Sequence, residues 1–302
     1  MVEKIFITGC NGLLGQKLVT QLHKTYYVAG GDLHQTSLLG ADPFEYHPMD
    51  IAQRTEMNRR LQEFKPDIII NAAAYTNVDK AETERELCWQ VNVHGVENLV
   101  YSAQKINAKL IHISTDYVFD GNSGPYRETD RPAANGFYAR SKLASENVLN
   151  GSGLNFVIIR TMILFGVGTG LRPDFVAWLI DALRSEKPVT IVDDQIGNPT
   201  LADDLANAIE NAIQQNASGL YHISGSERID RFHFALRIAD TFELNKALIK
   251  AIKTSELKQA APRPLNSGFT LDKARHELGI QMRDIQSALL EYKRQLEQRS
   301  KS

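Results

Sequence analysis

Short apolar runs rich in Ile and Val recur along the chain, separated by longer stretches in which apolar residues return every three or four positions. The runs KIFIT, YYVAGGD, DIIINAA, KLIHIST and NFVIIRT have no alternating polar face, so each reads as a strand buried on both sides. Between them GLLGQKLVTQL, RTEMNRRLQEF and ELCWQVNVHGVENLVYSAQ carry the spacing of amphipathic helices. Strands of this kind alternating with helices predict an α/β fold, a Rossmann-type doubly wound parallel sheet. The rhythm loosens after NFVIIRT. FGVGTGLRPD reads as a glycine-rich hinge, followed by a helix (FVAWLIDALRSE), a strand (PVTIV), a turn-rich segment (DDQIGNPT), a helix (LADDLANAIENAIQ) and a strand (GLYHIS). From Gly225 onward the pattern is mainly helical, broken by APRPLNSG. The expected division is a dinucleotide-binding domain over 1–168, rejoined by about 196–225. A smaller, mainly helical C-terminal substrate domain takes about 169–195 and 226–302.

Composition narrows the function. With 302 residues, 43% hydrophobic and 23% charged, the chain can build a real core. A net charge of -2 gives no general attraction for nucleic acid or anionic lipid, and no apolar stretch approaches a membrane span. Two cysteines without CxxC spacing argue against a disulfide framework and fit a reducing compartment. The N-terminal apolar run is too short for a signal peptide, so the cytoplasm is expected. Scattered histidines with no ligand spacing give a catalytic metal no support.

The chemistry begins at FITGCNGLLGQKL, where Gly9, Gly12 and Gly15 follow a strand and open a helix. Glycine allows a tight turn and a close approach to a pyrophosphate, and the helix start, through Asn11, Leu13 and Leu14, offers free N–H groups. Asp32 ends the second strand, where a carboxylate accepts from ribose hydroxyls and repels a 2′-phosphate; a turn-forming Asp is the alternative. No Arg follows closely. The expected coenzyme is therefore NAD(H) or NADP(H), with NAD(H) ahead. Asp50 and Ile51 follow a third strand and can reach an adenine, or Asp50 can cap the next helix. Ala72, Ala73 and Ala74 are small where a strand end must pass a coenzyme. Asp79 with Glu82 has the spacing of a capping box. Tyr138 and Lys142 stand at i and i+4, on one helix face.

TGxxGxxG, NAAAYTNVDKAE, STDYVFDG, Tyr138 with Lys142, VDDQIGNPT and RPLNS, in this order, resemble an extended short-chain dehydrogenase/reductase of the dTDP-4-dehydrorhamnose reductase group. The resemblance implies NAD(P)H-dependent reduction of the C4 ketone of a nucleotide-linked 4-keto-6-deoxy sugar, with dTDP-4-dehydrorhamnose, giving dTDP-rhamnose, as the leading candidate. It implies that Tyr138 is the general acid, that Lys142 lowers its pKa and holds the nicotinamide ribose, and that Thr115 orients the carbonyl. It suggests that Asn92 braces the strand bearing Thr115, with surface exposure as the alternative. Tyr75, Thr76, Asp116, Tyr117 and Gln195 would shape the sugar pocket. Among Arg172, Arg231 and Arg263, Arg263 is the first choice for the substrate pyrophosphate. Arg160 also ends a strand, with a salt bridge at the sheet rim as the alternative to a place in the site. Two departures stand out: Ala139 where the group has Gly, and Met162, Ile163 and Leu164 where an aromatic often stands. The partner expected is a nucleotide sugar, without nucleic acid or membrane, in a chain for which a homodimer is open. An epimerase or dehydratase on the same scaffold is one rival. A non-catalytic subunit like the methionine adenosyltransferase β-subunit, which the sequence also resembles, is the other.

Overall fold

A computed structural model describes residues 2–40 and 44–299. The first half follows the predicted alternation: β1 (Lys4–Thr8), α1 (Leu13–Leu22), β2 (Tyr27–Asp32), β3 (Glu45–Pro48), α2 (Arg54–Phe64), β4 (Ile68–Asn71), α3 (Arg85–Trp89), α4 (Gly95–Ile106), β5 (Lys109–Thr115), α5 (Phe137–Asn150) and β6 (Phe156–Thr161). The rest runs β7 (Leu164–Phe165), α6 (Phe175–Arg184), β8 (Val189–Val192), β9 (Ile196–Gly197), β10 (Thr200–Leu201), α7 (Ala202–Gln214), β11 (Gly219–His222), β12 (Ile229–Asp230), α8 (Arg231–Thr241), β13 (Ile249–Ile252), α9 (Asp272–Leu278) and α10 (Ile285–Arg299).

One seven-stranded sheet has the order β11-β6-β5-β4-β1-β2-β3, and every neighbouring pair is parallel. The order reverses between β1 and β4, so a crevice opens there beyond the C-terminal strand ends. Both faces are covered. On one, Ile5, Ile7, Ile68, Ile70 and Ile111 pack with Leu18 of α1 and Ile209 of α7. On the other, Phe6, Ile69 and Leu110 pack with Leu61 of α2 and Leu99 of α4. This two-sided burial is why the strands show no polar alternation.

A second core holds the C-terminal elements together: Leu179 and Leu183 of α6, Ile191 of β8, Phe234 and Ile238 of α8, and Leu289 of α10. The chain also builds a strand here that the helical reading of this region missed. Ile249–Ile252 pairs in parallel with Val189–Val192. That pairing joins segments far apart in sequence, so no local pattern announces it. No described helix is long and apolar enough to cross a membrane.

Candidate active site

The glycine loop turns on two constraints. Gly9 has φ +69, and a Cβ there would lie 2.7 Å from the Ala73 nitrogen at the end of β4. A Cβ on Gly15 would collide with the Gly9 carbonyl oxygen and the Cys10 Cα, so α1 packs this close only without one. Gly12 is the N-cap of α1 and has no side-chain cap, which leaves the first-turn N–H groups of Leu13 and Leu14 to face a cavity.

That cavity, about 1050 Å³, runs along the C-terminal strand ends. Asp32, Asp50 and Ile51 lie at one end, and Ala72, Ala73, Ala74 and Thr76 form its middle. Asp32 accepts from the Asn11 backbone N–H (3.1 Å) and sits 3.1 Å from His34 Nδ1. Asp50 closes a turn onto the Ala52 N–H (2.8 Å) while also lining the cavity, and Gln53, not Asp50, caps α2.

At the other end Thr115, Asp116, Tyr117, Tyr138 and Lys142 come together. Thr115 ends β5, and Tyr138 and Lys142 sit in the first turns of α5, which starts at Gly136 with φ +91. The start of α5 is pinned by Glu82, whose carboxylate accepts from the Phe137 N–H at 2.7 Å. The Thr115 hydroxyl hydrogen-bonds the Tyr138 phenol. It also lies 3.1 Å from Asp116 Oδ1, and the Tyr117 N–H donates to it at 3.3 Å. Tyr117 meets Tyr138 edge to face at 5.6 Å. Lys142 Nζ donates to the Ile113 carbonyl at 2.7 Å.

Burial dominates the electrostatics. It raises the Tyr138 phenol well above its ordinary value, with Tyr117 and Asp116 adding to the rise and Thr115 opposing it. It lowers Lys142 to about 8, against the opposing pull of Glu146 and Cys88. The phenol is therefore held protonated, as a proton donor must be, and the amine is poised near physiological pH. Lowering of the phenol by the ammonium, expected from the sequence, does not prevail over burial.

Five expected site residues lie elsewhere. The Asn11 side chain is buried and holds the 36–38 loop by bonds to Thr36 O and the Leu38 N–H. Asn92, in a π-helical turn between α3 and α4, is buried rather than exposed, and it braces other segments than β5. Its amide bonds both backbone groups of Tyr75 (2.8 and 3.1 Å) and reaches Ser141 Oγ on α5 (2.9 Å). Tyr75 turns its hydroxyl to Glu84 at 2.6 Å. Gln195 is spent on Thr254 and Gln259. Arg263 forms an ion pair with Asp79 at 2.7 Å, and Asp79 Oδ1 accepts from the Ala261 N–H at 3.0 Å. The capping box is therefore not formed: Asp79 ties the Pro-rich segment down, and Glu82 serves α5.

Other residues take their place. Arg231, at the start of α8, lines the cavity with its guanidinium 5.4 Å from the Phe175 ring centroid. Burial lowers its pKa, and Tyr117 and Asp116 oppose that shift. Arg172 also lines the cavity. Thr161 pairs in register with Thr115, and among the described residues its Oγ1 is the cavity-lining member of the few buried side-chain atoms without a hydrogen-bond partner. No sequence signal separates it from an ordinary strand Thr. Met162 and Ile163 line the cavity too, so the departure from the group's aromatic falls at the site itself. Ile163 has φ 48, a costly conformation for a β-branched residue. Arg160 is not at a solvated rim. It is buried and bidentate to Glu146 (2.9 and 2.6 Å), and Glu146 also accepts from Ser114.

The chain is 33% identical over 300 residues to dTDP-4-dehydrorhamnose reductase of Aggregatibacter actinomycetemcomitans, covering 95% of this chain and 97% of that one. It is 31% identical to methionine adenosyltransferase 2 subunit beta of Xenopus laevis, covering 93% of this chain and 84% of that one. The crystal structure of dTDP-4-dehydrorhamnose reductase from Bacillus anthracis str. Ames in complex with NADP superposes with a TM-score of 0.88 at 32% identity, over 98% of this chain and 100% of that chain. The model of the RmlD substrate binding domain matches residues 3–298, and the chain belongs to that family.

Proposed function

We propose that this chain catalyses NAD(P)H-dependent reduction of the C4 ketone of a nucleotide-linked 4-keto-6-deoxy sugar, with dTDP-4-dehydrorhamnose as substrate and dTDP-rhamnose as product. The observation that carries this reading is the meeting of Thr115, Tyr138 and Lys142 in a cavity whose other part is the glycine loop. From Asp32 on β2 to Thr115 on β5 is three strand spacings, about 14 Å, a span suited to an extended dinucleotide.

The residues present fit a dinucleotide. The cradle at Gly9 and Gly15 would be filled by any Cβ, the open start of α1 presents N–H groups toward a pyrophosphate, and Asp32 offers a carboxylate to ribose hydroxyls. When bound, the reduced coenzyme supplies a hydride to C4. Tyr138 gives its phenolic proton to the C4 oxygen as negative charge develops there. Thr115 holds that oxygen by a hydroxyl hydrogen bond, and the Lys142 cation favours the phenolate left behind. Arg231, with Arg172 farther out, supplies the positive charge that a diphosphate needs. The Thr161 hydroxyl remains for a polar group of the ligand. Consumption of NADH or NADPH with dTDP-4-keto sugar, followed by identification of the sugar formed, tests the reading. No turnover, with tight association to a partner enzyme, would support the regulatory-subunit reading instead, toward which the Xenopus laevis relative points.

Two results are expected alongside that assay. Arg231→Ala should raise KM for the nucleotide sugar about 10- to 100-fold, the cost of one charge-assisted hydrogen bond, with kcat within a few-fold. Steady-state kinetics at saturating coenzyme measures it. Asp32 should make kcat/KM for NADH about tenfold higher than for NADPH, because a 2′-phosphate beside that carboxylate is repelled. Equal values for the two coenzymes would refute the assigned role of Asp32.

A further inference from the structure

Three adjacent strands carry a polar residue at the same level of a largely apolar sheet. Thr8 on β1 is in register with Asn71 on β4, and Asn71 with His112 on β5. All three are buried. They are joined side chain to side chain: Thr8 Oγ1 to one end of the Asn71 carboxamide at 2.6 Å, and the other end of that carboxamide to His112 Nδ1 at 3.0 Å. The other imidazole nitrogen, Nε2, faces α5, lying 3.3 Å from Lys142 Nζ and 3.0 Å from Ser145 Oγ. A polar row inside a parallel sheet forgoes apolar packing and has to satisfy every member. One end of this row lies beside Gly9, at the root of the glycine loop, and the other touches the cavity lysine.

We propose that His112 is a positioning residue for Lys142, its Nε2 accepting a hydrogen bond from the ammonium, and that the Thr8–Asn71–His112 row ties this hold to the base of the glycine loop. The proposal rests on the reading of Lys142 as the cationic partner of the Tyr138 phenol.

Hydrogen accounting supports it. An ammonium has three N–H donors. One goes to the Ile113 carbonyl and a second to His112 Nε2, which leaves the third for the cavity that Lys142 lines. For Nε2 to accept, the ring proton must be on Nδ1, which requires the Asn71 carboxamide flipped from the placement that puts its oxygen on Thr8, so that the oxygen faces the imidazole and the nitrogen faces Thr8. The ring tautomer and the amide orientation are set by the network they join. The reverse tautomer would give its Nε2–H to Ser145 Oγ at 3.0 Å and leave the ammonium without this acceptor, so the position of the ring proton decides between the two. Burial and the ammonium hold the imidazole neutral, well below its ordinary pKa, so it adds no competing charge. Ser145 donates its own proton to the Lys142 carbonyl at 2.7 Å. The charged and titratable groups around Lys142 are His112 on β5, Tyr138 and Glu146 on α5, with Glu146 bound to Arg160 of β6, and Cys88 on α3.

The test has two parts. Nitrogen-15 NMR of histidine-labelled protein should give His112 a protonated Nδ1 and an unprotonated Nε2; the opposite assignment overturns the proposal whatever the enzyme's activity. In kinetics, His112→Leu removes the acceptor and should lower kcat about tenfold at neutral pH. It should also move the alkaline limb of kcat/KM down by about one pH unit, because the ammonium loses a partner that favours its charged form. His112→Gln, which retains an acceptor oxygen, should restore kcat to within about threefold and return the limb to its place. A His112→Leu enzyme with an unmoved limb, or a Gln variant no better than Leu, overturns it. Should the Leu variant fail to fold, the NMR assignment and the Gln variant decide. Absence of turnover in the unmodified protein would defeat the reductase reading, while the tautomer measurement would still stand as the test of the hydrogen bond.

Discussion

Tyr138→Phe is expected to bind coenzyme with unchanged affinity and to lose turnover by about 10²- to 10⁴-fold, the range that a positioned proton donor contributes. The substitution removes one oxygen and leaves the ring against Tyr117. Coenzyme fluorescence titration and steady-state rates separate the two effects; unchanged turnover would mean that another group delivers the proton. The pH profile adds a second check. Lys142, lowered to about 8, is charged below that pH and neutral above it. The support its charge gives to the phenolate left on Tyr138 is therefore largely present near pH 7 and is lost as pH rises through about 8. The kcat/KM of the unmodified chain should fall on that alkaline side, and a Lys142→Met enzyme, already slow, should lack this limb.

Arg160→Met is expected to destabilise the fold by about 3–5 kcal/mol, the cost of leaving a buried carboxylate without its cation. Among the described residues Glu146 would retain only the Ser114 hydroxyl as a hydrogen-bond partner. The pair is buried on both sides, its side chains 3% exposed each, so water cannot take over the missing partner. The double variant Arg160→Met with Glu146→Leu should recover most of the loss, because exchanging the whole pair for apolar side chains removes both desolvation terms. Urea unfolding of the three variants measures this; a single variant within about 1 kcal/mol of the parent would show that Glu146 finds another partner.

The corrections to the site share a cause. Arg263 and Gln195 stand in the motifs RPLNS and VDDQIGNPT, which carry the resemblance. Each is consumed by partners distant in sequence: Arg263 by Asp79, Gln195 by Thr254 and Gln259. Asn92 interrupts a helical stretch, where Asn is unfavourable. The compensation for that cost, two bonds to Tyr75 and one to Ser141, became visible only in the packed molecule. Arg231 was one of three candidate cations, and nothing in its neighbours along the chain distinguished it from the others. The start of α8 brings it beside Tyr117 and Asp116.

What the sequence determined by itself was local in origin. Two-sided burial writes an unbroken Ile/Val run, so β1, β2, β4, β5 and β6 were legible. A backbone that needs φ +69 and a helix packed onto its own entry loop demand glycine, so Gly9 and Gly15 were legible too. Tyr138 and Lys142 share a face through helix geometry alone. The tertiary structure decided the pairings that close over long separations: β11 beside β6, β13 beside β8, Asp79 with Arg263, and the row from Thr8 to His112. Helix periodicity, glycine turns and strand burial are fixed over a few residues. Which polar group satisfies which is fixed only when the strands are stacked and water has been excluded, because a buried donor or acceptor takes whatever partner the fold brings within about 3 Å.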